Sequence, residues 1–303
     1  MVRYAEKTMQ AIEQVMMADQ GNSYRANLRE ALLEASDIYK QEEDQYRTHL
    51  GASVIGRECA RQVWYMHRWC KPEQFSGRML RLFNRGNIEE ARCVALLRTI
   101  GCQVSVNDAN DRQFKFSALN QLFGGSLDGI VYGLPDLPDE HLLSEFKTHN
   151  ENSFIKLQQD GVEKAKPEHY AQMICYLHAY RLSYAIYIGV NKDDDDLHME
   201  IVEANPVAAE RYVERARLIL DNVPPPRISN TPGFWKCKFC PVRGVCFENE
   251  PVNHTCRSCE HVRVSAVEGT EPWSCIKFHQ SISTAVQKSG CVQWKENECI
   301  RAK

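Results

Sequence analysis

The stretch Phe123-Gly124-Gly125-Ser126-Leu127-Asp128-Gly129-Ile130-Val131, taken with Ser144-Glu145-Phe146-Lys147-Thr148 downstream, decides the fold of this chain. Leu127, Ile130 and Val131, and later Leu142 and Leu143, form apolar runs of strand type. Between them, Gly133-Leu134-Pro135-Asp136-Leu137-Pro138-Asp139 has the Gly, Pro and Asp content of a turn, so a hairpin is predicted. Successive strand side chains point to opposite faces, which puts Glu145 and Lys147 on one side and Phe146 on the other. Asp128, on the neighbouring strand, can join them. The expected result is a patch of sheet carrying two carboxylates and one ammonium.

Two carboxylates side by side repel, and a divalent cation is their natural third member. Oxygen-only ligation suits Mg2+ or Mn2+. Lys147 is then free to orient or deprotonate a water. These groups are the equipment for metal-assisted hydrolysis of a phosphodiester. Glu-x-Lys also occurs on ordinary solvated strands, so the flanking sequence has to decide between the two readings.

Upstream, Arg85-Gly86-Asn87-Ile88-Glu89-Glu90-Ala91-Arg92 opens a predicted helix over 85–100. Downstream, Pro167-Glu168-His169-Tyr170-Ala171-Gln172-Met173-Ile174-Cys175-Tyr176 reads as a helix with Pro near its start, and the spacing of four puts Gln172 and Tyr176 on one face. In this order the pieces resemble the PD-(D/E)XK nuclease superfamily, in particular its RecB-like branch. The resemblance covers residues 51–247 and implies that Glu90, with Glu89 as the rival, joins Asp128 and Glu145 as a metal ligand. Asn87 stands where many members carry a histidine. The resemblance further implies that Gln172 and Tyr176 lie beside the active site and the DNA.

Composition bounds the remaining possibilities. The chain has 303 residues, 43% of them hydrophobic and 25% charged, which is ordinary for a globular protein. No apolar run approaches the ~20 residues of a membrane helix and no signal-peptide pattern opens the chain, so a cytoplasmic protein of a phage or bacterium, with no membrane partner, is expected. A formal charge of only −3 means that nucleic-acid binding must come from local patches. Residues 51–100 supply one, with nine Lys or Arg against four Asp or Glu. There Arg57, Arg61, Arg68, Lys71, Arg78, Arg81 and Arg85 are interleaved with Trp64, Tyr65, Trp69 and Phe83. A surface that tracks a backbone and stacks on bases needs this mixture, and so does an amphipathic helix whose aromatics are core. Residues 4–49 read as two helices separated at Gly21-Asn22-Ser23, with solvated charged faces. Beyond the second motif helix, residues 184–190 read as a central strand, 198–203 as an edge strand and 206–220 as a helix, with a solvated tip at Asp193-Asp194-Asp195-Asp196.

Thirteen cysteines, clustered late in the chain, point in a reducing compartment to metal ligands rather than disulfides. Cys237, Cys240 and Cys246 are spaced C-x2-C-x5-C and provide three ligands; Cys59, far upstream, is the candidate fourth. This one-plus-three distribution is similar to the iron–sulfur subgroup of RecB-like nucleases found in CRISPR adaptation and bacterial recombination, and implies a 4Fe–4S cluster stapling the ends of the core. Zinc, which also accepts four thiolates, is the alternative. Cys256, Cys259, Cys275 and Cys291 form C-x2-C-x15-C-x15-C in a segment of about fifty residues, too short to bury a self-sufficient core. Structural zinc is expected there, with His279 as rival ligand.

The expected fold is α/β: a restriction-endonuclease-like mixed sheet flanked by helices, preceded by a helical segment (1–50) and closed by its cysteine cluster (51–250), with a small zinc-ribbon-like module (251–303). The expected activity is Mg2+- or Mn2+-dependent exonuclease action on DNA in recombination, repair or replication. A catalytically inactive DNA-binding scaffold that retains the fold is the alternative. No Walker-type Gly-x4-Gly-Lys-Ser/Thr is present, so unwinding would fall to a partner: a helicase, beside a recombinase or single-strand-binding protein.

Overall fold

A computed structural model describes residues 2–34, 46–72 and 74–301. In chain order the elements are α1 (Glu6–Asp19), α2 (Asn22–Glu34), β1 (Leu50–Gly51), α3 (Ala52–Ile55), α4 (Ala60–His67), α5 (Gly77–Thr99), β2 (Gln103–Ser105), β3 (Lys115–Ala118), β4 (Phe123–Ser126), β5 (Gly129–Leu134) and β6 (Leu137–His149). They continue with α6 (Glu151–Ala165), α7 (Pro167–Tyr180), β7 (Tyr184–Asn191), β8 (Leu197–Glu203), α8 (Pro206–Leu220), α9 (Trp235–Lys238), α10 (Arg243–Phe247), β9 (Val262–Val264), β10 (Trp273–Cys275), β11 (Gln280–Ser281) and α11 (Thr284–Ser289). The two expected N-terminal helices are α1 and α2, and residues 35–45 of that segment lie outside the described residues. None of the described helices is long and apolar enough to cross a membrane.

The chain forms two compact units. The first takes its described residues from 2–34, 75–116 and 126–209 and is built on a mixed five-stranded sheet of order β2-β5-β6-β7-β8. Only β6 and β7 run parallel, with Glu145 opposite Tyr187 and Lys147 opposite Gly189. The predicted hairpin is the antiparallel pair β5–β6, in one register from Gly129↔Ser144 to Tyr132↔His141 and shifted before the last pair, Leu134↔Leu137. Its turn is tighter than the composition of residues 133–139 implies. Gly133 takes a positive φ, and pairing resumes at Leu137, so Pro138 and Asp139 already belong to the longer strand. Residues 123–131 are not one strand: the path breaks at Leu127-Asp128, where Leu127 N–H donates to the Phe114 carbonyl at 3.0 Å.

Helices cover both faces of this sheet. On one, Ile12, Ala31, Val94 and Leu97 pack with Val131, Leu142, Phe146, Ile186 and Met199 in a single apolar cluster. On the other, α6 and α7 lie over β6, β7 and β8. The approach is close: a Cβ at Gly189 would come within 2.8 Å of Leu157. Within α6, Gly161 breaks the helical path at φ 71°, ψ 169°, freeing the Val162 N–H to donate to buried Glu200 at 2.8 Å.

The second unit takes its described residues from 46–72, 74, 117–125 and 210–301. It contains the parallel pair β1–β4 and an antiparallel sheet of order β11-β10-β9. Trp64, Tyr65, Trp69, Arg61 and Arg68 are all buried here. The interleaved pattern around α4 is therefore core, not a binding surface. Its polar atoms meet carbonyls: Trp64 Nε1 and Arg68 Nη2 both donate to Asp221 O at 2.9 Å, and Arg61 Nε donates to Pro225 O at 2.7 Å. The Arg257 guanidinium is clamped between the Trp69 and Trp273 rings, 3.8 and 4.2 Å from their centroids, and donates to His67 O and Thr48 O.

The conformation at Gly161 is open essentially to glycine alone, and a Cβ there would meet Val2 at 2.6 Å and Glu200 at 3.2 Å. Gly161→Ala is expected to lower stability by about 1–3 kcal/mol, read as a lower urea midpoint at unchanged slope.

Candidate active site

The sheet alternation places Glu145, Lys147 and His149 on the face covered by α6 and α7, while Phe146 joins the opposite apolar cluster. Asp128 sits in the break before β5. Its Oδ2 accepts the Phe146 N–H at 2.8 Å and lies 3.7 Å from Lys147 Nζ. That ammonium rests against Glu145 Oε1 and donates to the Phe146 carbonyl at 3.0 Å. Glu145 is fully buried, and its Oε1 meets the ammonium as an ion pair without accepting an aligned hydrogen bond. Burial pushes the Glu145 carboxyl up against the pull of Lys147, with Asp128 adding to the rise. Burial also works against the Lys147 ammonium, but Glu145, Asp128 and then Glu90 outweigh it and hold its pKa well above the usual lysine value.

Gln172 donates from Nε2 to Glu145 Oε2 at 3.1 Å and reaches the Tyr176 hydroxyl at 3.5 Å. Both side chains are buried, and Gln172 stands directly behind Glu145. On α5, Glu89 is paired with Arg92 at 3.0 Å, whereas Glu90 lies within electrostatic reach of Lys147.

A cavity of about 600 Å³ opens beside these groups, lined in part by Glu89, Glu90, Lys147, Asn87 and Phe83. Its remaining wall holds residues that sequence reasoning missed: His149, His169, Ser153, Lys166 and Lys192. The Tyr187 hydroxyl bridges His149 Nε2 at 2.8 Å and His169 Nδ1 at 2.9 Å. A hydroxyl has one proton to give, so at most one imidazole accepts from it and at least one donates to it. Burial lowers both histidine pKa values, to about 3 and about 2, which keeps the imidazoles neutral near pH 7. His149 was detectable in principle, since it continues the alternation of Glu145 and Lys147. Lys166, Lys192 and His169 come from distant loops and helix starts that no local pattern connects.

In the second unit, Cys59, Cys237, Cys240 and Cys246 line one small apolar cavity. Cys59 is the N-cap of α4, and the other three lie on or beside α9 and α10. Burial raises the Cys237 and Cys240 thiols, and the neighbouring Cys59 and Cys246 raise them further. Cys256 is likewise raised, to about 11, by burial and then by Cys291, Cys259 and Cys275. His279 is exposed in the turn between β10 and β11. None of the thirteen cysteines is paired in a disulfide. Among the described residues, no three His, Cys, Asp or Glu side chains stand around a common point closely enough to hold a metal ion as they are placed.

Gln172 is the neutral donor that satisfies Glu145 Oε2. Gln172→Leu is expected to destabilise the chain by about 1–3 kcal/mol, because a buried acceptor loses its partner. Tyr176→Phe, which removes only a 3.5 Å contact, is expected to leave the urea midpoint nearly unchanged.

No protein-family model and no curated protein matches the sequence. Solved structures with a partial likeness include SSO0001, at TM-score 0.40 and 14% identity over 71% of this chain and 93% of that one. They also include an alkaline exonuclease, LHK-Exo, from Laribacter hongkongensis, at TM-score 0.39 and 14% identity over 58% of this chain and 87% of that one. The same exonuclease in complex with dAMP gives TM-score 0.36 and 14% identity over 57% and 86%.

Proposed function

We propose that the chain is a metal-dependent deoxyribonuclease that hydrolyses phosphodiester bonds, acting from DNA ends in recombination, repair or replication. One observation carries this reading: Lys147 sits between the carboxylates of Glu145 and Asp128 at the edge of a cavity whose walls carry further lysines and histidines. Carboxylates that close together are costly without a cation, and a basic wall suits a phosphate.

By donor chemistry these residues suit a hard divalent ion, although as placed no three of them stand close enough together to hold one. Asp128, Glu145 and Glu90 offer carboxylate oxygens, and the Phe146 carbonyl is adjacent; Glu145 Oε1 is buried against the Lys147 ammonium. Bound there, Mg2+ or Mn2+ would supply charge stabilisation at the scissile phosphate and a more acidic water. The chain's own residues do the rest. Asp128 is fixed by the Phe146 N–H, Gln172 fixes Glu145, and Lys147 orients the attacking water and stabilises developing negative charge. Lys147→Ala is expected to lower the cleavage rate of end-labelled linear DNA by about 10²–10⁴ while binding is retained. DNA binding by wild type with no cleavage under Mg2+ or Mn2+ would instead favour a scaffold role.

Cys59, Cys237, Cys240 and Cys246 form a thiol set fitting a 4Fe–4S cluster or zinc, and Cys256, Cys259, Cys275 and Cys291 one fitting zinc. In this reading both are structural staples. Cys240→Ala is expected to remove one site's complement of metal from anaerobically purified protein and to lower its melting temperature. Iron with acid-labile sulfide, or zinc, in elemental analysis of the wild type identifies the occupant.

A further inference from the structure

An amphipathic helix normally buries one stripe along its whole length. The start of α5 does not: among residues 77–85 only Leu82 is even partly buried, and the helix turns into the core only from Glu89 onward. What it exposes is unusual for a solvated end. Phe75, just before the helix, and Met79, Leu80 and Phe83 on it are all exposed large apolar side chains. Phe75 and Phe83 pack edge to face, with ring centroids 4.9 Å apart at 88°, so each ring holds the other in place. Interleaved with them are Arg78, Arg81 and Arg85, and residues 74–88 contain no Asp or Glu. Among the described residues Arg78 and Arg81 have no ion-pair partner, while Arg85 donates to the Lys192 carbonyl at 2.9 Å.

This surface is continuous with the candidate active site, because Leu82, Phe83, Gly86 and Asn87 line the same cavity as Lys147, Lys166 and Lys192. We infer that the exposed first turns of α5 form a binding platform for single-stranded nucleic acid leading into that cavity, with Phe75 and Phe83 stacking on bases and Arg78 and Arg81 meeting phosphates. Rings can stack only on bases whose faces are free, and in a duplex those faces are covered by neighbouring pairs. Guanidiniums alone would suit either form of DNA; the exposed rings select the unpaired one. This inference rests on the nuclease reading for the chemistry inside the cavity, not for the platform.

The test is fluorescence anisotropy of the full-length chain, without added divalent cation, on a labelled oligothymidylate and on a duplex of equal length. Wild type is expected to prefer the single strand. The double variant Phe75→Ala/Phe83→Ala is expected to bind the single strand about tenfold more weakly or worse, with the same salt dependence and no comparable loss on duplex. Arg78→Gln/Arg81→Gln is expected to weaken both and to flatten the logarithmic salt slope by about 1.4 on the single strand and about 1.8 on the duplex, from two lost phosphate contacts. All four positions are exposed, so melting curves should match wild type. Wild-type binding by the phenylalanine pair, or equal losses on both DNA forms, overturns the platform. So does a phenylalanine pair that changes only the sedimentation coefficient, which would make this face a protein contact. Metal-dependent cleavage by wild type with normal single-strand binding by the phenylalanine pair sinks the platform alone. The expected binding losses with no cleavage under any metal sink the hydrolytic reading alone.

Discussion

A carboxylate held at the centre of a sheet costs several kcal/mol unless a positive charge meets it, and Glu145 is such a carboxylate. The fold of the first unit is arranged around meeting that requirement. β6 supplies the ammonium two residues further on, where strand geometry returns the side chain to the same face. Asp128 sits in a break, where the backbone leaves strand geometry and its carboxylate accepts the Phe146 N–H. From the far side, α7 brings Gln172 to the remaining Glu145 oxygen. Each partner comes from a different element, so the sheet register and the seating of α7 are both constrained by one buried charge.

That constraint explains what was legible in advance. The hairpin, the shared face of Glu145 and Lys147, and the helix carrying Gln172 and Tyr176 are properties of local spacing, and local spacing is what a sequence displays. The break at Leu127-Asp128 is not, because it depends on a hydrogen bond to Phe114 from a separate part of the chain. The early start of β6 was hidden for a related reason. Pro138 and Asp139 look like turn residues, but here the turn is closed within Gly133 to Asp136, and these two lie on exposed strand. His169, Lys166 and Lys192 escaped because only tertiary structure brings them to the cavity.

The aromatics of α4 teach a different lesson. Trp64, Tyr65 and Trp69 with Arg61 and Arg68 have the composition of a nucleic-acid surface, yet all are buried. Backbone carbonyls meet part of the need of the buried guanidiniums: Asp221 accepts from Arg68 Nη2, Pro225 from Arg61 Nε, and His67 and Thr48 from Arg257, while Arg68 Nε and Nη1 are buried without a hydrogen-bond partner among the described residues. Arg257 also stacks between Trp69 and Trp273, which ties the last fifty residues into the core of the second unit. Charge in a sequence therefore says little until its partners are known.

Sorting the arginines of residues 51–100 by partner separates those spent inside the fold from those left at the surface of a chain whose net charge is −3. Arg61 and Arg68 spend their donors on carbonyls inside the second unit, and Arg92 and Arg98 on Glu89, Asp195 and Glu34 in the first. None of these four is available to a phosphate. Arg78 and Arg81 differ: they are exposed, flank exposed rings, and have no acidic residue within several positions. Attraction between exposed charges decays over a Debye length of about 8 Å at physiological ionic strength. A few such guanidiniums beside a cavity therefore contribute locally, together with the lysines and glutamates that line it, whatever the distant acidic residues add to the total.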